Sequence, residues 1–375
     1  MFIKSPKNKS NVKSSSQKTG NGDTPLFLCV VGFCLFGLLV IFNASTFTSF
    51  KGFGNQIHFV QDQAVFFGVG MTLLIIFSLV NYQIWYKLSI PLLFGVLLML
   101  LAVFIPGLGI KVLGAKRWLN FGFFTLQPTE VAKFVLVIYL SAWFTFKEKN
   151  RLVSFLILLG LVVGLVILQP DLGTAIIIMV IAGILYFFSG APLLHFLLLL
   201  PLIIFGGICF AVFVPYRFAR IATFLNLRND LLGASYHLHQ VLLALGSGGW
   251  FGVGIGKSRQ KYGYLPEPMT DSIFAIIAEE VGFLGSLVVI GGLMFISYRA
   301  FRIAYHVPDR FGQLLASGIA TWFSVQTLIN LGAMVALIPL TGVPLPFMSY
   351  GGSNLVSMLA GFGILLNVSR YSISK

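Results

Sequence analysis

Acidic side chains are scarce in this chain: its 375 residues hold 11 Asp and Glu against 25 Lys and Arg, and the four types together make up only 10%. Charge that sparse leaves no segment with the composition of a soluble domain. Cysteine is scarcer still, with Cys29, Cys34 and Cys209 each inside an apolar run. That excludes a disulfide framework and a Cys/His metal spacing, and the thiols read as core packing. Also missing is a Ser-x-x-Lys transpeptidase motif set within a soluble domain.

Apolar residues take up the room instead, at 57% of the chain and a mean hydropathy of +0.93. A soluble protein of this length could not bury so much apolar surface. Runs of about 20 residues, the length of a membrane-crossing helix, recur throughout. Barrel strands would be shorter and alternating, and no third architecture satisfies the backbone in hydrocarbon. The fold class expected is an all-α polytopic membrane protein. Ten spans are expected, at 25–43, 64–80, 88–106, 128–146, 152–168, 172–189, 193–214, 272–297, 312–338 and 353–369. Residues 1–24 are polar, carry Lys4, Lys7, Lys9, Lys13 and Lys18, and read as a disordered basic tail. The tail is longer than a secretory n-region, so a signal anchor is expected rather than a cleaved peptide. Residues 25–375 then form one membrane domain.

With ten spans, the tail, Lys87, Lys147, Lys149, Arg151, Arg299, Arg302, Arg310, Arg370 and Lys375 fall on one side. That side is the cytoplasm by the positive-inside rule, and both termini lie there. The opposite face is not stripped of cations. One loop carries Lys111, Lys116 and Arg117, and a long loop at 215–271 carries Arg217, Arg220, Arg228, Lys257, Arg259 and Lys261. These charges do nothing for topology. They read either as solvation of a long loop or as a focus for an anionic ligand. On an external face a phosphorylated lipid fits and a nucleic acid does not.

Within the long loop, Leu238, Val241, Leu242 and Leu245 recur at helical spacing, as expected for a short amphipathic helix at the interface. Trp250 and Phe251 follow as interfacial aromatics. The glycines of "GSGGWFGVGIG" permit tight turns and close backbone approach to a ligand. Lys257, Arg259 and Lys261 come next, the order a phosphate cradle needs. In the other basic loop Lys116 and Arg117 stand beside Trp118. These are either an interfacial anchor or a phosphate clamp with a sugar platform.

Each acid has a bland and a sharp reading. Glu130 and Lys133 enter the fourth span three residues apart and can pair structurally. Asp171 follows Pro170 at a helix start, where it either caps the helix or shapes an external cavity. Asp271 begins the eighth span and would also serve as a cap. Against that, it faces the basic loop, and Ala275, Ala278, Gly282 and Gly285 below it form a small-residue stripe for a neighbouring helix. Glu280 points to the opposite side from Asp271, so Glu279 and Glu280 suit buried hydrogen-bonding roles rather than one carboxylate dyad. A lone external acid among cations suggests a particular chemistry. Glycoside hydrolysis needs two carboxylates. A sugar leaving on a pyrophosphate needs only charge stabilisation and one general base.

Four long stretches, in order, carry a family resemblance: "GAKRWLNFGFFTLQPTEVAKF" (114–134), "QPDLGTA" (169–175), "HQVLLALGSGGWFGVGIGKSRQKYGYLPEPMTDSIFAIIAEEVGFLG" (239–285) and "NLGAMVALIPLTGVPLPFMSYGGSNL" (330–355). The chain resembles the SEDS (shape, elongation, division and sporulation) family, FtsW- and RodA-like membrane proteins that polymerise peptidoglycan glycan from lipid II, and its wording leans toward FtsW. The resemblance implies a ten-span bundle with Asp271 as the essential acid. Arg117 and Trp118 match the family's "RW", and "PLPFMSYGGS" (344–353) matches its external re-entrant stretch. On this reading Lys111, Lys116, Arg117, Trp118, Gln240, Lys257, Arg259, Lys261 and Ser349 are the substrate-binding candidates. Glu130, Lys133, Asp171, Glu279 and Glu280 are the supports. Departures are Met269 for His, Ser272 for Phe, His237 for Gln and Thr129 for Ser.

The implied partners are lipid II, a class B penicillin-binding protein supplying transpeptidation, and other divisome or elongasome membrane proteins. A divalent cation, Mg or Mn, is compatible with the chemistry, although no ligand cluster demands one. The alternatives are a lipid II flippase and a non-catalytic divisome scaffold. A flippase should carry polar groups continuously through its bundle, whereas the cations here concentrate outside.

Overall fold

The computed structural model describes residues 20, 22–112, 115–122, 124–146, 151–198, 201 and 235–372. Nearly all of the expected tail lies outside these residues. So do most of the seventh expected span, Cys209, Lys147, Lys149, Lys375 and the Arg217, Arg220 and Arg228 part of the long loop. Helices occupy the other nine expected span positions: α1 (Thr24–Phe53), α2 (His58–Leu79), α3 (Gln83–Ala102), α4 (Pro128–Phe144), α5 (Leu152–Leu168), α6 (Leu172–Phe188), α8 (Ile273–His306), α9 (Arg310–Met334) and α10 (Gly352–Ser369). The short α7 (Tyr236–Ser247) lies in the long loop. Six of these helices (α1, α2, α3, α8, α9 and α10) are long and apolar enough to cross a membrane.

The loop after α3 is not simply coil, a departure from the all-α expectation. It folds into β1 (Gly109–Val112), β2 (Ala115–Asn120) and β3 (Thr125–Leu126), an antiparallel sheet in that order. Helix α1 also runs ten residues past its expected end. Asn43 and the Ser/Thr-rich stretch after it lower hydropathy but do not stop a helix. Gly54 does, with φ 67 and its N–H donating to the Phe50 carbonyl at 2.9 Å.

The bundle has an inside and a lipid side. Almost all of α10 is buried, and it packs along α2 with α4 and α9 also against it. Gly363 lets its backbone meet α2, where a Cβ would come 2.6 Å from the Leu74 carbonyl oxygen. At the end of that contact Asn367 is buried between the Ser78 carbonyl and the Tyr82 N–H. Leu28, Leu35 and Leu39 of α1, Val65 and Val69 of α2, and Leu287, Val288 and Met294 of α8 are exposed on their outer faces. In water such a belt would be a large apolar patch; in a bilayer it is the lipid contact.

One end of the bundle gathers the chain's basic helix ends. Asp23, which caps α1, pairs with Arg299 at 2.7 Å. The Tyr82 hydroxyl donates to Asp309, the cap of α9, and burial followed by that carboxylate pushes the phenol pKa up. The sheet, Asp271 and the 335–351 segment lie at the other end.

Candidate functional site

The site end is organised by a break in α8. Gly282 has φ 71 and ψ −169, which no helix accommodates, so nearby backbone groups lose their helical partners. The glycine-rich stretch supplies replacements. Val253 and Gly254 donate to the Glu279 and Glu280 carbonyls at 3.0 and 3.1 Å, and Phe283 and Leu284 donate to the Gly249 and Trp250 carbonyls at 2.8 and 3.2 Å. This contact requires glycine on both sides. A Cβ on Gly248 would sit 2.2 Å from the Ala278 carbonyl oxygen, and one on Gly282 would sit 2.2 Å from the Gly252 nitrogen. The glycines expected to cradle a phosphate instead dock backbone against backbone. The backbones of Ala278 and Gly282 of the small-residue stripe accordingly meet this segment. Helix α7 packs on α8 through buried Leu238, Val241 and Ala244, while Leu242 points outward, contrary to the expected face.

The break also sets the two glutamates. Glu279 accepts from the Ser258 hydroxyl and from the Arg259 N–H at 3.1 Å. Glu280 accepts from the Asn43 amide of α1 and from the Ser258 N–H at 3.3 Å. Lys261 belongs to this cluster and not to a substrate surface. It is 6% exposed, pairs with Glu280 at 3.5 Å, and donates to Asn43 Oδ1 and the Gly256 carbonyl, each at 2.6 Å. Its three protons are all engaged, which removes it from the pyrophosphate candidates. Lys257 and Arg259 remain exposed.

Asp271 sits just before α8, half-buried. It is not the cap of the helix: the N-cap is Ser272, whose side chain makes no cap bond. Its main-chain carbonyl accepts from Asn330 Nδ2 at 2.8 Å, and the same amide reaches the Val343 carbonyl at 2.8 Å. Asn330, on α9, thereby fixes the aspartate to the 335–351 segment. Carboxylate Oδ1 lies 3.2 Å from the Thr270 hydroxyl, and Oδ2 lies 4.0 Å from where a Cβ on Gly342 would stand. Tyr350 N–H donates to the Met269 carbonyl at 2.8 Å and closes the other side. Burial, then Asp62, push the Tyr350 phenol up to about 12, so it stays protonated. His237 of α7 is 2.7 Å from the Ser272 hydroxyl. Two departures from the family wording thus meet beside the aspartate.

The 344–351 stretch is folded by its own side chains. Ser349 Oγ accepts from the Leu345 N–H at 2.8 Å, and the Ser349 carbonyl accepts from Gln63 at 3.3 Å. Ser349 is 2% exposed, so it shapes the segment and is not placed to touch a substrate. Below it, Gln326 donates to the Pro344 carbonyl and to Asn354 Oδ1 and accepts from Lys133 and Trp322. Lys133 pairs with Glu130 at 2.8 Å, both nearly wholly buried. That pair and its amide hub lie inside the bundle.

In the sheet, Ile110 pairs with Trp118 and Lys111 with Lys116, so Arg117 is an extra residue on β2. The bulge re-aims its side chain. Its Nε donates to the Gln169 carbonyl at 3.1 Å and its Nη2 to the Pro170 carbonyl. Arg117 therefore braces the α5–α6 corner. Asp171 caps α6 by accepting from Thr174 N–H at 3.1 Å, and Gln127 Nε2 reaches it at 3.4 Å. Lys111 and Lys116 are exposed and directly opposed, an arrangement that repels unless an anion answers it. Trp118 is half-buried on the strand, and Gln240 half-buried on α7. Among the described residues no three His, Cys, Asp or Glu converge as a metal site.

The cell cycle protein family model named for FtsW, RodA and SpoVE matches residues 23–374. The chain belongs to the FtsW/RodA/SpoVE family. Its relatives include stage V sporulation protein E of Bacillus subtilis, 38% identical over 90% of this chain and 93% of that protein. A probable peptidoglycan glycosyltransferase FtsW of Trichlorobacter lovleyi is 37% identical over 92% and 93%. Among solved structures, a chain of a peptidoglycan synthase complex that coordinates polymerization and crosslinking superposes with a TM-score of 0.77, at 27% identity over 93% of this chain and 98% of that one. The rod shape determining protein RodA of Thermus thermophilus gives 0.68, at 28% identity over 94% and 98%. This FtsW/RodA/SpoVE protein is thus an integral membrane protein built on a known helical architecture.

The sequence reading missed the amides that hold this family member's site together: Asn43, Gln63, Gln326 and Asn330. A signal for them existed. Gln326 and Asn330 are four apart on one face of an apolar span, where polar groups are expensive and are found facing partners.

Proposed function

We propose that the chain polymerises peptidoglycan glycan strands from lipid II by inverting glycosyl transfer, with Asp271 as general base. The acceptor's GlcNAc 4-hydroxyl loses its proton to the Asp271 carboxylate and attacks the donor's anomeric carbon. The C–O bond to undecaprenyl pyrophosphate breaks as the new bond forms. The carrying observation is the placement of Asp271: half-buried, not the cap of α8, and fixed through its main chain to the 335–351 segment. Names of relatives that specify a peptidoglycan glycosyltransferase support the same chemistry. Leaving pyrophosphate would be met by exposed Lys111, Lys116, Lys257 and Arg259, with Trp118 and Gln240 contributing to the sugar or lipid contact.

The end bearing Arg299, Arg302 and Arg310 faces the cytoplasm in this reading, and Asp271 faces outward. Residues 25–375 act as one membrane domain. A class B penicillin-binding protein would supply crosslinking, in keeping with the coupling of polymerization and crosslinking described for the structural relative. A flippase role has less support, since the buried Lys133 is held in place by Glu130 and Gln326.

The test is glycan polymerisation by purified protein on lipid II. Asp271→Asn should lower the rate by about 10²–10⁴-fold, the usual contribution of a general base, with an unchanged melting temperature. Undiminished product from the folded variant would refute the assignment.

A further inference from the structure

A concave groove of about 560 Å³ opens at the opposite end from Asp271, between the last turns of α8 and the first turns of α9. Tyr298, Phe301, Arg302 and Tyr305 line one wall at helical spacing, with His306 beside them and Arg310 facing from α9. Tyr298 and Tyr305 are 60% and 81% exposed, so the aromatic wall is open to its surroundings. The positive-inside rule explains cations at this end. It does not explain their convergence with aromatics on one concave surface.

Among the described residues the charges in the groove also lack carboxylate partners. Arg299, one turn earlier on α8, pairs with Asp23 at 2.7 Å. Among the described residues the Arg302 guanidinium makes no ion pair or hydrogen bond. Arg310 is held by Gln313 Oε1 at 2.9 Å and by the Phe188 carbonyl, both neutral. His306 Nδ1 donates to the Arg302 carbonyl at 2.8 Å, and the residue lines the groove. Among the described residues no Asp or Glu lines it. Two guanidinium charges therefore sit in an apolar, aromatic recess with no carboxylate beside them among the described residues. Such a recess calls for an anion that brings its own apolar body.

We propose that this groove binds the phosphodiester headgroup of an anionic phospholipid, with the acyl chains along Tyr298, Phe301 and Tyr305. Basic recesses between helices at the inner leaflet hold such headgroups, and Tyr belongs at the headgroup level. The guanidinium of Arg302 offers two parallel N–H donors to phosphate oxygens, the geometry that suits a phosphodiester. The choice of leaflet rests on the orientation proposed above, whereas binding in detergent reads the groove directly.

The experiment is native mass spectrometry and thermal unfolding of the delipidated full chain with phosphatidylglycerol, phosphatidylethanolamine or water-soluble glycerol phosphate added. Phosphatidylglycerol should be retained and raise the melting temperature; the other two should do neither at equal concentration. Arg302→Gln should weaken phosphatidylglycerol retention about fivefold, the factor matching roughly 1 kcal/mol per interfacial cation. Tyr305→Ala should weaken it without changing charge. Lys87→Gln, a cation on α3 outside the groove, should leave it unchanged. The proposal is overturned if phosphatidylethanolamine or glycerol phosphate stabilises equally. It is also overturned if Lys87→Gln reduces retention as much as Arg302→Gln, or if Arg302→Gln retains the lipid like wild type while folded. Loss of lipid binding would leave polymerisation from lipid II to be judged on Asp271 alone.

Discussion

Gly252→Ala isolates the contact between the glycine-rich segment and the broken helix. An added Cβ would lie 2.1 Å from the Glu280 carbonyl oxygen and 2.7 Å from the Gly282 nitrogen, with φ at +80. Neither neighbour is a flexible side-chain tip, so the segment must withdraw by roughly 1 Å, which carries its hydrogen bonds out of range. Four backbone bonds, at 2.8 to 3.2 Å, cross this contact. At about 1 kcal/mol net each, plus about 1 kcal/mol for a left-handed alanine, full undocking costs about 5 kcal/mol, and partial relaxation leaves about 3–5. Thermal unfolding in one detergent should show a clear loss. Deuterium exchange should accelerate at the Val253, Gly254, Phe283 and Leu284 amides. The control is Gly246→Ala, where a Cβ on α7 meets nothing within 4 Å, and where alanine should be neutral or add up to about 1 kcal/mol. A Gly252→Ala protein that melts with wild type and keeps those four amides protected would refute the docking argument.

Lys261→Ala should cost about 3–5 kcal/mol by stranding the buried Glu280 carboxylate, and adding Glu280→Gln should recover part of that loss in the same melting assay. Lys257→Ala, which removes an exposed cation, should raise the KM for lipid II with little change in melting temperature; equal damage to both would place Lys257 in the scaffold. His237→Ala and Ser272→Ala should each lower kcat by about 2–10-fold, the range of one net hydrogen bond, with the double variant no worse than either single. His237→Gln, which keeps a donor, should retain most activity; additive losses would mean the 2.7 Å contact is incidental.

Hydropathy located α5 and α6 to within a residue because Arg151, the Pro170–Asp171 break and the Ser189–Gly190 turn bound them. The ends of α1 and α8 were not legible in this way. Both helices continue beyond the hydrocarbon, and only a left-handed glycine or a later cap stops them. The hairpin at 109–126 was hidden because its strands are short and its alternation is masked by Lys111, Lys116 and the bulged Arg117. The glycines were rightly singled out for close approach, but sequence does not say what approaches. A phosphate and a kinked helix make the same demand on the backbone. Lys257 and Lys261 stand four apart in one basic run, yet one is exposed and the other buried. The difference comes from Asn43, 218 residues away, which no local pattern contains.

The candidate base itself was legible as an acid in the wrong place, and its anchoring was not. The anchor acts on the main chain: Asn330 binds the Asp271 carbonyl and leaves the carboxylate to other partners. This separates position from chemistry. Asp271→Asn removes the proton acceptor while every backbone contact of the residue can persist, so a rate loss there reports the missing carboxylate. Asn330, by contrast, joins α9, the 335–351 segment and the start of α8 through one neutral amide, which carries no charge to perturb the carboxylate's own ionisation. An uncharged clamp of this kind can hold a general base within reach of a hydroxyl without paying away its basicity, as a direct cation partner would by favouring the ionised form.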